Sequence, residues 1–237
     1  MSSRVSQKNT NRVVREQLAK ERRQRRAMYI SIGAVLALVV VGLAGWGVYS
    51  AQKPTSFATP VHVSSDGNGI AVASNEGKPN VELFADYLCP NCKVFEQDTG
   101  ATLAQYVQDK SISYVYHPIA ILDRSSSTAY STRAASAAAC ASDYGKFTEF
   151  SQGLFEQQPP EGSAGLTDDQ LIQIGTSAGL VDPAFARCVT SGKYKDWVTH
   201  ITSDSGRRGV TGTPTVMVNG KVVESTREAV SAAVTGP

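Results

Sequence analysis

Val81-Glu82-Leu83-Phe84-Ala85-Asp86-Tyr87-Leu88-Cys89-Pro90-Asn91-Cys92 is the stretch on which the reading of this chain turns. Val81 to Tyr87 alternates loosely and is rich in β-branched and aromatic residues, as a buried strand requires. Beyond the cysteines, Lys93 to Asp109 carries Phe95, Thr99, Thr102 and Tyr106 at helical spacing. The two thiols therefore stand at the joint of a strand and a helix. Pro90 takes the first helical position, where its missing N–H costs nothing. Cys89 falls at the helix N-terminus, where unpaired N–H groups and the macrodipole favour the thiolate, the reactive form of the residue. Cys92, one turn on, is expected to be more buried and near enough to resolve a mixed disulfide. The spacing predicts a redox site, with Cys89 as nucleophile and Cys92 as resolving thiol.

A zinc site would share the Cys-x-x-Cys text but would need a second pair of close ligands. Cys140 and Cys188 are isolated from each other in sequence, and His62, His117 and His200 are scattered. Neither a metal nor a cofactor is expected.

Far downstream, Gly212-Thr213-Pro214-Thr215 enters the short apolar run Val216-Met217-Val218, and Asn219-Gly220 marks a two-residue hairpin turn. A proline at a strand's first residue is sterically tolerated, so strand punctuation alone would account for it. Taken together and in this order, Cys-Pro-Asn-Cys and Gly-Thr-Pro-Thr resemble the thioredoxin superfamily. The closer resemblance, over roughly Thr59 to Pro237, is to its membrane-anchored or secreted DsbA-like branch of actinobacterial type. The resemblance implies an α/β thioredoxin-like fold with a helical insertion between the two halves of the sheet. It also implies a cis bond at Thr213–Pro214, facing the dithiol and lining a groove for extended substrate.

Outward from these motifs, charge divides the chain. Residues 1–27 carry nine Lys/Arg and two Glu, a net +7, whereas the remaining 210 residues carry a net −5. Met28 to Tyr49 is 22 residues without a charge, long enough to cross a bilayer as a helix. Arg22, Arg23, Arg25 and Arg26 abut its start, and only Lys53 follows closely. The positive-inside rule then keeps the tail (1–27) in the cytoplasm, anchors residues 28–49 in the cell membrane as a single pass and exports the rest. Signal-peptide cleavage after Val48-Tyr49-Ser50 is the competing reading. A lipid bilayer accounts for the basic tail, so no nucleic acid is expected as a partner. Residues 50–58 read as a tether, and 59–237 as the folded domain.

Within that domain, Val61 to Val63 and Ile70 to Ala73 flank Ser-Ser-Asp-Gly-Asn-Gly and are expected to form a strand pair. Ile112 to Tyr116 reads as a strand stopped by Pro118. From about 125 to 208 the period becomes helical throughout, predicting an all-helical insertion. It is marked by Tyr130/Ala134/Ala138/Ala141, by Phe147/Phe150/Leu154, by a Thr167–Gln170 capping box, by Asp182-Pro183 and by Tyr194/Trp197/Ile201. Ser225 and Glu228 predict a second capping box for a C-terminal helix.

In many thioredoxin-like proteins a buried acid moves a proton to or from the resolving cysteine. Here Leu83 fills that acid's usual place, six residues before Cys89, and Glu82 lies seven before. One residue flips the face of a strand, so Glu82 is read either as proton shuttle or as an ordinary strand residue. Asp86 reads as structural, and so does His117, placed before a proline. Cys140 and Cys188 are either buried small hydrophobes or, in an exported domain, a structural disulfide; the resemblance implies the disulfide. The function implied is an extracytoplasmic thiol–disulfide oxidoreductase that introduces disulfides into exported proteins with reduced cysteines. A quinone-linked membrane partner would reoxidise it. Reductase or isomerase chemistry at the same site, or a non-catalytic thioredoxin-fold binding module, are the alternatives.

Overall fold

The computed structural model describes Met28, residues 38–42 and residues 57–236. The expected tail (1–27), most of the anchor (28–49) and most of the tether (50–58) lie outside the described residues. Residues 38–42 are helical, with Leu38, Val39, Val40 and Val41 exposed. Among the described residues no helix is long and apolar enough to cross a membrane. The remainder, from Phe57 onward, is a compact unit of its own.

Its centre is a five-stranded sheet of β1 (Ile70–Ala73), β2 (Asn80–Ala85), β3 (Ser113–Pro118), β4 (Thr215–Val218) and β5 (Lys221–Val223), in the order β1-β3-β2-β4-β5. β2 runs parallel to β3 and antiparallel to β4. Covered on both faces, it reads as the near-continuous apolar run Val81 to Ala85, interrupted by Glu82. The crossover from β2 to β3 is helix α1 (Pro90–Gln108). The core stripe of α1 is Cys92, Phe95, Thr99 and Leu103. Thr102 and Tyr106, expected in that stripe, are only half-buried, because 3.6-residue periodicity carries the stripe from Thr99 to Leu103.

Between β3 and β4 lie a short 3₁₀ turn (Asp123–Ser125) and five helices: α2 (Tyr130–Ser142), α3 (Phe147–Glu156), α4 (Asp168–Ser177), α5 (Pro183–Ser191) and α6 (Lys195–Arg207). α2 is buried almost all round, and its alanines let α3, α5 and α6 approach it closely. At the α4–α5 contact a Cβ on Gly175 would stand 2.1 Å from the Phe185 ring, so only glycine fits there. Thr167 and Gln170 form the expected capping box of α4, and Asp182 caps α5 with Pro183 in its first turn. Asn219 and Gly220 both take positive φ, 50° and 75°, as a tight hairpin turn between β4 and β5 demands.

Two local expectations are corrected. The Val61–Val63 run does not make a strand pair; it meets β1 in a single bridge, Val63 to Ile70. Ser64 closes the intervening loop on Gly69 through its N–H (2.7 Å) and its hydroxyl (3.0 Å), and β1 spends its ladder on β3. The C-terminal helix α7 (Arg227–Thr235) is capped by Thr226, which accepts the Ala229 N–H, and not by Ser225. Ser225 is committed elsewhere: its hydroxyl donates to the Pro214 carbonyl at 3.1 Å.

Candidate active site

The chain leaves β2 at Asp86, which organises the turn into α1. Its carbonyl accepts the Cys89 N–H at 3.0 Å. One carboxyl oxygen accepts the Leu88 N–H and the other the Leu122 N–H, each at 2.9 Å, so Asp86 ties this turn to the loop after β3. Cys89 then stands as the N-cap of α1 in extended conformation (φ −75°, ψ 117°), without a side-chain cap bond and with Pro90 following. No acid occupies the first turn, so nothing competes with Sγ for the positive end of the helix.

Both thiols are free and buried, Cys89 being 6% exposed and Cys92 1%. Their ionisation is driven apart. A hydrogen bond from the Cys92 thiol, helped by the Thr213 side chain and the Cys92 and Asn91 N–H groups, outweighs burial and pulls Cys89 down from 9.0 to about 6. Burial, and then the adjacent Cys89 thiolate, push Cys92 far up. One thiolate is thus held by the other's proton. Burial also raises Asp86 to about 6 against the hydrogen bonds it accepts, and the charge on Cys89 adds to that rise. Glu96, on α1, is raised by burial alone.

Across from the dithiol comes the loop into β4. The Thr213–Pro214 bond is cis. The Cys89 thiol donates to the Thr213 carbonyl at 3.2 Å. That contact belongs to the protonated form; in the thiolate the carbonyl repels, and the donors named above take over. The Thr215 hydroxyl donates to the Gly212 carbonyl at 2.7 Å, and with the Ser225 bond to Pro214 this pins the loop on either side. The structure therefore brings Cys89, Cys92 and Thr213–Pro214 together.

It does not bring Glu82 to them, and of the two readings of Glu82 the geometry fits the ordinary strand residue and not the proton shuttle. Register pairs Val81 with Tyr114 and Leu83 with Tyr116 on the sheet face under α1, and Glu82 with Val115 on the other face. There the Glu82 carboxylate accepts from Arg208 (2.5 Å) and meets His117 Nε2 (3.0 Å). Burial raises Glu82, but those two partners outweigh it and hold the carboxyl below its ordinary value. His117 is wedged in the same cluster, its Nδ1 2.6 Å from the Asn68 carbonyl and its ring stacked on Phe84 at 4.1 Å. The buried acid that feels Cys89 is Asp86, which sequence spacing read only as structural.

Cys140 and Cys188 are bonded to each other, with Cα atoms 6.0 Å apart, joining α2 to α5. Three hydrogen bonds had no readable signal. The Tyr87 hydroxyl meets Ser151 on α3 at 2.6 Å, and the Gln158 amide donates to the Tyr87 and Cys89 carbonyls at 2.9 and 3.0 Å.

The thioredoxin family model matches residues 65–235. Among curated proteins, the chain is 29% identical over 150 residues to the serine/threonine-protein kinase PknE of Mycobacterium tuberculosis. That match takes in 60% of this chain but 26% of the kinase, so the chain spans about a quarter of that relative's length. Among solved structures, reduced DsbA of Mycobacterium tuberculosis superposes with a TM-score of 0.58 at 32% identity, over 66% of this chain and 85% of that one. The reduced disulfide bond oxidoreductase DsbG of the same organism gives 0.60 and 31%, over 74% and 86%. With a family match across most of its length and two solved relatives of this kind above 30% identity, the chain belongs to the thioredoxin family and is a DsbA-like thiol–disulfide oxidoreductase.

Proposed function

We propose that this enzyme works as an oxidant outside the cytoplasmic membrane, tethered by residues 28–49, and introduces disulfides into exported proteins. A thiolate of the substrate attacks the Cys89–Cys92 disulfide, Cys92 leaves, and a second substrate thiolate displaces Cys89 from the mixed disulfide. The substrate loses two electrons and the enzyme becomes the dithiol. A quinone-linked membrane partner takes those electrons and restores the disulfide.

One observation carries this reading: the reduced site stabilises a thiolate on Cys89 and on Cys89 alone. Whatever stabilises the reduced form makes the disulfide a stronger acceptor of electrons. The Cys140–Cys188 bridge supports a compartment where disulfides persist. The uncharged run from 28 to 49, with the apolar side chains at 38–41 left uncovered, supports the anchor.

Equilibration of the full chain against glutathione tests the direction. The expected potential lies nearer the about −120 mV of DsbA than the about −270 mV of thioredoxin. A thioredoxin-like value would make reductase or isomerase the better name. Protease treatment of intact spheroplasts tests the placement and should degrade the domain from residue 59 onward while sparing the tail. A soluble mature chain beginning near Ala51 would replace the anchor by a cleaved signal.

A further inference from the structure

We propose that Gln158 is a positioning residue for the nucleophile: its side-chain amide, held out by the helical insertion, fixes the two carbonyls of the active-site turn and so sets the reactivity of Cys89. The proposal rests on the reading of Cys89 as the sulfur that exchanges with substrate.

α3 ends at Glu156, and Gln158 follows directly before Pro159 and Pro160. A residue before proline is confined to extended conformations, and two prolines in succession stiffen what comes next. Gln158 is therefore presented from a rigid stub. Its amide nitrogen carries two hydrogens, and both find a carbonyl: Tyr87 at 2.9 Å and Cys89 at 3.0 Å. The Cys89 carbonyl is also the first acceptor of α1, taking the Cys92 N–H at 3.1 Å and the Lys93 N–H at 3.3 Å. Tyr87 is fully buried, and its carbonyl would be left without this donor at the cost of a desolvated, unmatched acceptor.

The same helix and stub hold Tyr87 at its other end through the Ser151 hydroxyl at 2.6 Å. Lys93 Nζ closes the seam on the Glu156 carbonyl at 3.4 Å. The insertion thus grips the turn 87–89 from one side while Asp86 ties it to the loop after β3 on the other. The Asn91 and Cys92 N–H groups that favour the thiolate hang directly from this turn. Preorganised donors lose much of their effect when their aim relaxes. A neutral amide suits the position. It can serve two acceptors at once, whereas a carboxylate would repel both carbonyls and the thiolate.

The test uses the full chain with Gln158→Leu and, separately, Gln158→Glu. The pH dependence of Cys89 alkylation, disulfide exchange with a model peptide and circular dichroism are measured for each. With leucine the alkylation midpoint should rise by roughly one unit, a tenfold change in thiolate equilibrium, and Cys89, a poorer leaving group, should be displaced from its mixed disulfide roughly 3-fold more slowly. With glutamate the loss should be larger above the pH at which the new carboxyl ionises. It should be partly relieved below that pH, where a protonated carboxyl can still donate to one carbonyl. A folded leucine variant with the wild-type midpoint and exchange rate overturns the proposal. Should leucine prevent folding, a glutamate variant whose pH profile matches the wild type overturns it equally. A wild type without exchange activity would instead sink the nucleophile reading on which the proposal stands, and the proposal with it.

Discussion

Exchange disappears in Cys89→Ser protein, whereas Cys92→Ser protein, offered a substrate disulfide, halts as a mixed disulfide through Cys89. This is the expected result because only Cys89 is ionised at neutral pH, and in this reverse direction Cys92 is the thiol that would resolve the mixed disulfide. A stability change accompanies it. A Cys89 pKa lowered from 9.0 to about 6 in the folded dithiol contributes stability that is fully present above the unfolded value and is lost as pH falls through the folded one. The contribution is of the order of a few kcal/mol near pH 9 and about 1 kcal/mol at pH 7. Cys92 works the other way, because its raised pKa removes stability only once pH exceeds the unfolded thiol value. Asp86, raised from 3.8 to about 6, has lost its own contribution by the lower edge of this window. Urea unfolding of the reduced protein should therefore show stability rising between about pH 6 and 9, and Cys89→Ser should flatten that slope. A reduced wild type with a flat profile over this range would contradict the thiolate assignment.

The second large effect belongs to the other cysteine pair. Converting both Cys140 and Cys188 to alanine opens a loop of 48 residues between α2 and α5. On the chain-entropy account the loss is about 4 kcal/mol. Urea unfolding of the double variant beside the oxidised parent measures it. α2 is the helix against which α3, α5 and α6 pack, so loosening α5 should be felt across the insertion. A loss below about 1 kcal/mol would mean that helix packing already restricts the unfolded chain as much as the bridge does.

What was legible in the sequence was local. The strand, the dithiol and the helix of residues 81–108 were readable because each element signals itself within a few residues, by alternation, by Pro90 at the first helical turn and by 3.6-residue spacing. The Thr167 and Asp182 caps followed for the same reason. What failed was decided by partners distant in sequence. Ser225 has the chemistry of a cap, but the Pro214 carbonyl claims its hydroxyl, and Thr226 takes the role one residue later. Glu82 has the chemistry of a proton carrier, but Arg208, 126 residues away, claims it on the far face of the sheet. Gln158 reaches back 69 residues to a carbonyl, and a backbone acceptor leaves no trace in the residue types that surround it.

The register of β2 has a consequence for the order in which the protein is made. Its pairing with β3 joins residues 33 apart, Val81 with Tyr114, whereas its pairing with β4 joins Val81 with Val218 across 137 residues. A chain emerging from its N-terminus forms the first contact early and must close a much longer loop for the second. Until β4 arrives, β2 presents an open edge, and the dithiol lacks Thr213, its neighbour from a segment 124 residues further on. A nascent chain thus carries its reactive cysteines exposed beside an unpaired strand while Cys140 and Cys188 are still seeking each other. The enzyme is for that interval a candidate substrate of its own finished copies.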